Sequence, residues 1–199
     1  MTYLYIYRMT DDTGFAPCVD NDLLTLACCK GGQIREGKII NTGLRYKIGS
    51  KKNGVDYSTD NVYILGTYKD KLLYVARVTD VVTMEEYYSG MSKGRTDDIY
   101  SLKKNVLVRN DKLRKQNVHT DEGRIIRDIA GKYVLISEDF VYLGKDAVRV
   151  NLVEKNARFQ ETKTYTGDTA EEIVKECFKY RDGKKHEPTK PLKKNGGCS

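Results

Sequence analysis

Tryptophan is absent from this chain, proline occurs three times and histidine twice. His119 and His186 are the only imidazoles, and Cys18, Cys28, Cys29, Cys177 and Cys198 contain no Cys-x-x-Cys pair. The ligand spacing of a structural zinc site is therefore missing, and no metal or cofactor is expected. An odd number of cysteines, two of them adjacent, argues against the disulfide framework of a small secreted domain. No apolar run approaches the roughly 20 residues of a membrane-spanning helix. The Tyr-rich opening does not have the charged-then-apolar pattern of a secretory leader. A cytoplasmic protein with no membrane partner is the expectation. There is also no Walker loop, no dinucleotide G-x-G-x-x-G, no nucleophile elbow and no H-E-x-x-H. The common phosphate-binding and hydrolytic signatures are thus excluded.

What remains is 199 residues, 32% of them charged, with enough length to bury a core unaided by disulfide or metal. The formal charge is +7, so polyanions such as DNA or nucleotides are the partners to consider. The stretch Lys179 to Lys194 supplies much of that excess. The 15 tyrosines each offer a flat apolar ring with a polar tip, which suits cores, wet interfaces and base stacking alike.

Along the chain, Thr2–Met9 (T-Y-L-Y-I-Y-R-M) reads as a strand covered on both faces. Asp11–Pro17 is a turn-rich loop, and Leu23–Lys30 a short apolar strand or helix start. Gln33–Tyr57 reads as basic loops with one short strand. Asn61–Gly66 and Lys71–Val82 form a hairpin about Tyr68–Asp70. Thr83 and Glu86 make a capping box. Tyr133–Ser137, Val141–Gly144 and Val148–Val153 read as strands, and Thr169–Tyr180 as a helix capped by Thr169. Arg181–Ser199 is polar enough to be a disordered tail, leaving residues 1–180 as a single domain. This element order lacks regular βαβ alternation. It predicts an α+β fold with a mixed, mainly antiparallel curved sheet and a few helices, PUA-like by analogy.

The opening Y-I-Y-R-M-T-D-D-T-G-F-A-P-C, then L-T-L-A-C-C-K and Ile34-Arg35, carry a resemblance that continues in three later stretches. These are V-T-D-V-V-T-M-E-E-Y-Y at Val78–Tyr88, D-D-I-Y at Asp97–Tyr100 and V-L-I-S-E-D-F-V-Y-L-G at Val134–Gly144. Together they resemble the second of the nucleotide modification associated domain families, found in bacteria and phages and linked to DNA-base modification. The resemblance implies a nucleotide- or DNA-base-binding domain in a modification or defence system. The alternative is an enzyme, a transferase or hydrolase acting on a nucleotide or modified base.

Read physically, Asp12 and Thr13 lie just past a strand end and can hydrogen-bond a base edge or ribose. Gly14 admits close backbone approach, and Phe15 can stack on a base or anchor the loop. Cys29 beside Lys30 has the makings of a thiolate nucleophile, although cysteine among apolar residues is more often core. Lys30 and Arg35 suit phosphate. Ser137 and Asp139 end a strand where ligands gather, Asp97-Asp98 and Asp139 can together bind Mg²⁺ although Asp97-Asp98 also reads as a helix cap, and His119 can move protons. The catalytic candidates are Asp12, Cys29 and His119. The expected pocket joins the Asp12–Phe15 loop to the Cys29–Lys30 region.

Overall fold

The structure, a computed structural model, describes residues 1–36, 38–110, 122–154 and 162–191. In chain order, strands β1 (Thr2–Met9), β2 (Cys18–Asp20), β3 (Leu23–Leu26), β4 (Gly32–Arg35) and β5 (Lys38–Thr42) precede helix α1 (Leu44–Gly49). Strands β6 (Asn61–Tyr68), β7 (Lys71–Arg77) and β8 (Asp80–Thr83) then lead into helix α2 (Met84–Glu86) and a π-helical turn at Tyr87–Met91. Strands β9 (Tyr100–Lys103) and β10 (Val106–Arg109) are followed by α3 (Glu122–Ala130), β11 (Tyr133–Ser137) and β12 (Asp139–Tyr142). Last come α4 (Asn151–Glu154), β13 (Thr162–Thr166) and α5 (Gly167–Phe178). The fold is α+β, and none of the described helices is long and apolar enough to cross a membrane.

The chain divides into two compact units. The first is built from Met1–Thr13, Gly54–Asp80 and Ser137–Pro191. Its five-stranded sheet has the order β12-β7-β6-β1-β13. Strand β1 pairs parallel with β6 on one side and antiparallel with β13 on the other. Leu4, Ile6, Tyr5 and Tyr7 are all buried, so both faces of β1 are covered as its apolar run requires. Strands β6 and β7 form the expected hairpin, turned by Lys69 and Asp70 at φ 49° and 62°. Two consecutive positive φ values make the turn whose twist matches the strands it joins. Helix α5 buries Ala170, Ile173, Val174 and Cys177, one stripe at helical spacing, in a core with Leu4, Ile6, Leu65 and Val75. It starts at Gly167 with Thr166 as N-cap, so Thr169, read as the cap, lies within the helix. The segment Val148–Val153, read as a strand, makes one isolated bridge from Val148 to Leu72 and then enters α4.

The second unit, among the described residues, comprises Gly14–Asn53 and Val81–Ile136. Its core gathers Phe15, Ala27, Cys28, Met84, Tyr87, Tyr88, Ile99, Tyr100, Val134 and Ile136. Tyr88 meets both Tyr87 and Tyr100 edge-on, with ring centroids 5.1 and 5.2 Å apart. The capping box is present: the Thr83 side chain accepts from the Glu86 N–H and the Glu86 carboxylate accepts from the Thr83 N–H. The stretch after Gly31, read mostly as loop, holds the β4–β5 hairpin and α1.

Candidate functional site

In the second unit the chain is anchored through β3 and on through Ala27 and Cys28, all of it buried but for Leu23 at the strand's start. It then emerges at Cys29 and Lys30, both in the left-handed region with φ 59° and 48°. Side chains with a Cβ resist that conformation by about 1–2 kcal/mol per residue, so surrounding bonds must hold it. The Cys29 N–H donates to Asp128 Oδ1 at 2.7 Å, and Tyr100 donates its hydroxyl to Asp128 Oδ2 at 2.9 Å. Arg45, 0% exposed, donates from Nε to the Cys29 carbonyl at 2.8 Å and from Nη1 to the Tyr133 carbonyl at 2.7 Å. Its Nη2 donates to the Asp128 carbonyl. A buried guanidinium must have its donors satisfied, and here they are spent on three separate stretches of backbone. Two glycines make the seat possible. A Cβ on Gly31 would fall 1.7 Å from the Arg127 carbonyl oxygen, and one on Gly131 would fall 2.4 Å from the Arg45 guanidinium carbon.

The two adjacent thiols have different chemistry. Cys28 is fully buried, 3.2 Å from the Tyr88 hydroxyl, and burial pushes its pKa well up, so it is a small core residue. Cys29 is half-buried. The Lys30 ammonium beside it is held largely out of water, and this desolvation lowers its pKa. Lys30 thus presents a cation that an incoming anion would stabilise. Arg35 is exposed on the β4–β5 hairpin, 3.9 Å from Glu36. Gly14 is half-buried at φ 77°. Phe15 is 3% exposed and packs in the core of this unit, where it anchors the loop.

Asp12, Thr13, Ser137 and Asp139 belong to the first unit. Asp12 is 1% exposed and its carboxylate accepts from the Tyr142 hydroxyl at 3.0 and 3.1 Å and from the Thr189 N–H at 2.9 Å. Its carbonyl accepts from Thr189 Oγ1 and the Lys190 N–H, while Lys190 Nζ pairs with Asp11 at 2.6 Å. The stretch Arg181–Pro191, expected from composition to be tail, is thus folded onto the motif that opens the chain. His186 continues the attachment: Nδ1 lies 2.8 Å from Asp146 and Nε2 lies 3.1 Å from Asp182. Ser137 and Asp139 close a turn on each other, and Asp139 pairs with Arg181. Thr13 is half-buried, and His119 lies outside the described residues.

Asp97, read as a cation ligand or helix cap, is engaged by internal partners. It is buried and accepts from Thr25 Oγ1 at 2.6 Å and the Tyr87 hydroxyl at 2.8 Å, with Arg95 Nε at 3.5 Å. Burial raises its pKa while these donors pull it back. Arg95 also donates to the Asp20 and Leu23 carbonyls, so the network closes on itself and pins β2 and β3. Its partner Asp98 accepts from Ser92 Oγ at 2.6 Å. Arg45, Tyr100 and Asp128 were not singled out in the sequence. The only signal was Arg45 sitting between Leu44 and Ile48, on the face of a short helix that turns inward.

The family model described as nucleotide modification associated domain 2 matches residues 1–194. No curated protein matches, and no solved structure does.

Proposed function

Because the chain belongs to the nucleotide modification associated domain 2 family, we propose that it binds a nucleotide, or a base turned out of DNA, at the Cys29–Lys30 loop. In this reading it serves a bacterial or phage DNA-modification or defence system in the cytoplasm. The observation that carries the assignment is a desolvated Lys30 ammonium on a left-handed backbone fixed by Arg45 and Asp128. A phosphate placed there favours the charged form of the amine that desolvation disfavours. The loop is already rigid, so little ordering entropy opposes binding. Arg35, on the hairpin that follows, supplies a second cation toward the same ligand. Calorimetric titration with nucleoside monophosphates, against the phosphate-free nucleosides, tests this. Binding should require the phosphate and weaken at least tenfold in Lys30→Ala, with circular dichroism confirming the fold. A folded Lys30→Ala protein that binds like the parent, or a parent that binds none of them, removes the assignment.

The half-buried Cys29 thiol next to a desolvated amine also supports a second reading, an enzyme that attacks its substrate through the thiolate. Cys29→Ser separates the two. A binding module keeps its affinity, whereas thiolate-dependent turnover stops, because a serine hydroxyl stays protonated without a base.

A further inference from the structure

The chain's excess positive charge is unevenly neutralised. In the segment whose composition suggested a basic tail, four of the five described cations are paired, Lys179 with Glu176, Arg181 with Asp139, Lys184 with Asp182 and Lys190 with Asp11, and Lys185 is the exception. The stretch from Lys30 to Asn53 is different. It holds seven cations (Lys30, Arg35, Lys38, Arg45, Lys47, Lys51 and Lys52) and one anion, Glu36. Seven minus one is six, against +7 for the whole chain. Arg45 is consumed internally, and Arg35 has Glu36 nearby. Lys47, Lys52 and Lys132, among the described residues, have no carboxylate partner.

Two of these lysines are gathered about one ring. Lys52 Nζ lies 5.7 Å and Lys132 Nζ 5.8 Å from the centroid of Tyr46, and Lys47 follows Tyr46 on α1. The Tyr46 ring is itself set against Tyr133, with centroids 6.0 Å apart, and Gly49 closes on Tyr133 from the same helix. The platform is rigid because Arg45, one residue before Tyr46, is bonded to the Tyr133 carbonyl. Cation–π contacts thus hold two ammonium groups in place without neutralising either. Like charges concentrated this way repel one another, and a polyanion relieves the repulsion.

We propose that this face of the second unit, centred on Tyr46 with Lys52, Lys132 and Lys47, holds the phosphate backbone of DNA. The proposal rests on the nucleic-acid reading of the Cys29–Lys30 loop and extends it. The Lys30 carbonyl accepts from the Arg45 N–H, so the loop leads directly into the helix that bears the platform. The loop holds one nucleotide, and the Tyr46 platform carries the strand it belongs to, without reading its sequence.

The test is fluorescence anisotropy of the full chain with a labelled duplex of about 20 base pairs, from about 50 to 200 mM salt. Affinity should fall linearly in log–log form with salt. In the Lys47→Gln, Lys52→Gln, Lys132→Gln triple variant the slope should be shallower by about 2–3, one phosphate contact per lysine removed. Tyr46→Leu should weaken binding, whereas Tyr46→Phe, which keeps the ring, should preserve it. A Lys179→Gln, Lys184→Gln control, altering paired cations, should match the parent. The surface is refuted by a triple variant with the parent's slope, by a control that takes the loss, or by polyglutamate competing as well as DNA, which would mean an acidic protein partner. Failure of the two proposals is distinguishable: Lys30→Ala reports on free monophosphate binding, and the triple variant on salt dependence alone.

Discussion

Replacing Arg45 by methionine keeps much of the side-chain volume and removes the three guanidinium donors that tie the Cys29 carbonyl to α3 and β11. The Cys29, Tyr133 and Asp128 carbonyls each lose a charged donor. Hydrogen bonds to a charged group contribute about 1.5–3 kcal/mol each, a gross figure of about 4.5–9 kcal/mol if they simply added. They share one side chain and one network, so they do not add, and returning the guanidinium to water offsets part of the loss. A net destabilisation of about 3–5 kcal/mol is expected, a large share of the roughly 5–15 kcal/mol that holds a domain folded. Arg45→Lys should lose about half as much, because one ammonium cannot span three carbonyls. Urea unfolding gives the total, and hydrogen exchange in peptides covering residues 26–36 isolates the contribution of this unit where a two-state fit would blend both. The Cys29 amide, now donated to Asp128, should exchange far faster in the variant. A loss below about 1 kcal/mol, with that amide still protected, would refute the idea that Arg45 locks the loop.

Three further outcomes follow from the same geometry. Gly31→Ala and Gly131→Ala should each destabilise by more than the usual surface substitution, about 2 kcal/mol or more, because backbone and guanidinium occupy the space a Cβ needs; urea midpoints equal to the parent's would contradict this. Burial alone would lower the pKa of His186, but its bonds to Asp146 and Asp182 outweigh that and raise it above its ordinary value. Its stabilising contribution is therefore complete below about pH 6.5 and fades as pH rises through the raised value, which a proton NMR titration midpoint above about 6.5 would verify. With iodoacetamide on the native protein, Cys29 should be alkylated first among the cysteines of the described residues; Cys18, Cys28 and Cys177 are buried, the last with its pKa pushed up to about 12, and should react only on unfolding.

The elements legible in the sequence were those whose pattern is local. Strand β1, the β6–β7 hairpin, the Thr83 capping box and Tyr133–Ser137 each announce themselves through a run, a turn or a spacing. Strand β13 was missed because T-K-T-Y-T is polar, and it can be polar because, among the described strands, it lies at a sheet edge beside β1 alone. Helix α1 was missed because six residues are too few to show a period. At the candidate site, Cys29 and Lys30 stood out by residue type, whereas Arg45 and Asp128 did not. A buried ion satisfied by distant carbonyls leaves no spacing to read. Asp12 was legible as a residue of consequence, but its internal donors, Tyr142 and Thr189, are 130 and 177 residues away in sequence.

The division of the chain also bears on its synthesis. The chain crosses between the two units at residues 13–14, 53–54, 80–81 and 136–137, so no single cut releases either of them whole. Strand β1 is made before the other strands of its sheet, yet its edge partner β13 and the helix that covers Leu4 and Ile6 are made only after the described second unit. By then the described strands and helices of the second unit, through Ile136, have all been made. That unit can settle while the first is still an uncovered three-stranded sheet of β1, β6 and β7, with Leu65 and Val75 lacking the Ile173 and Val174 side chains that will seal them. A nascent chain stalled anywhere between residues 137 and 170 is therefore the form of this protein most in need of a chaperone.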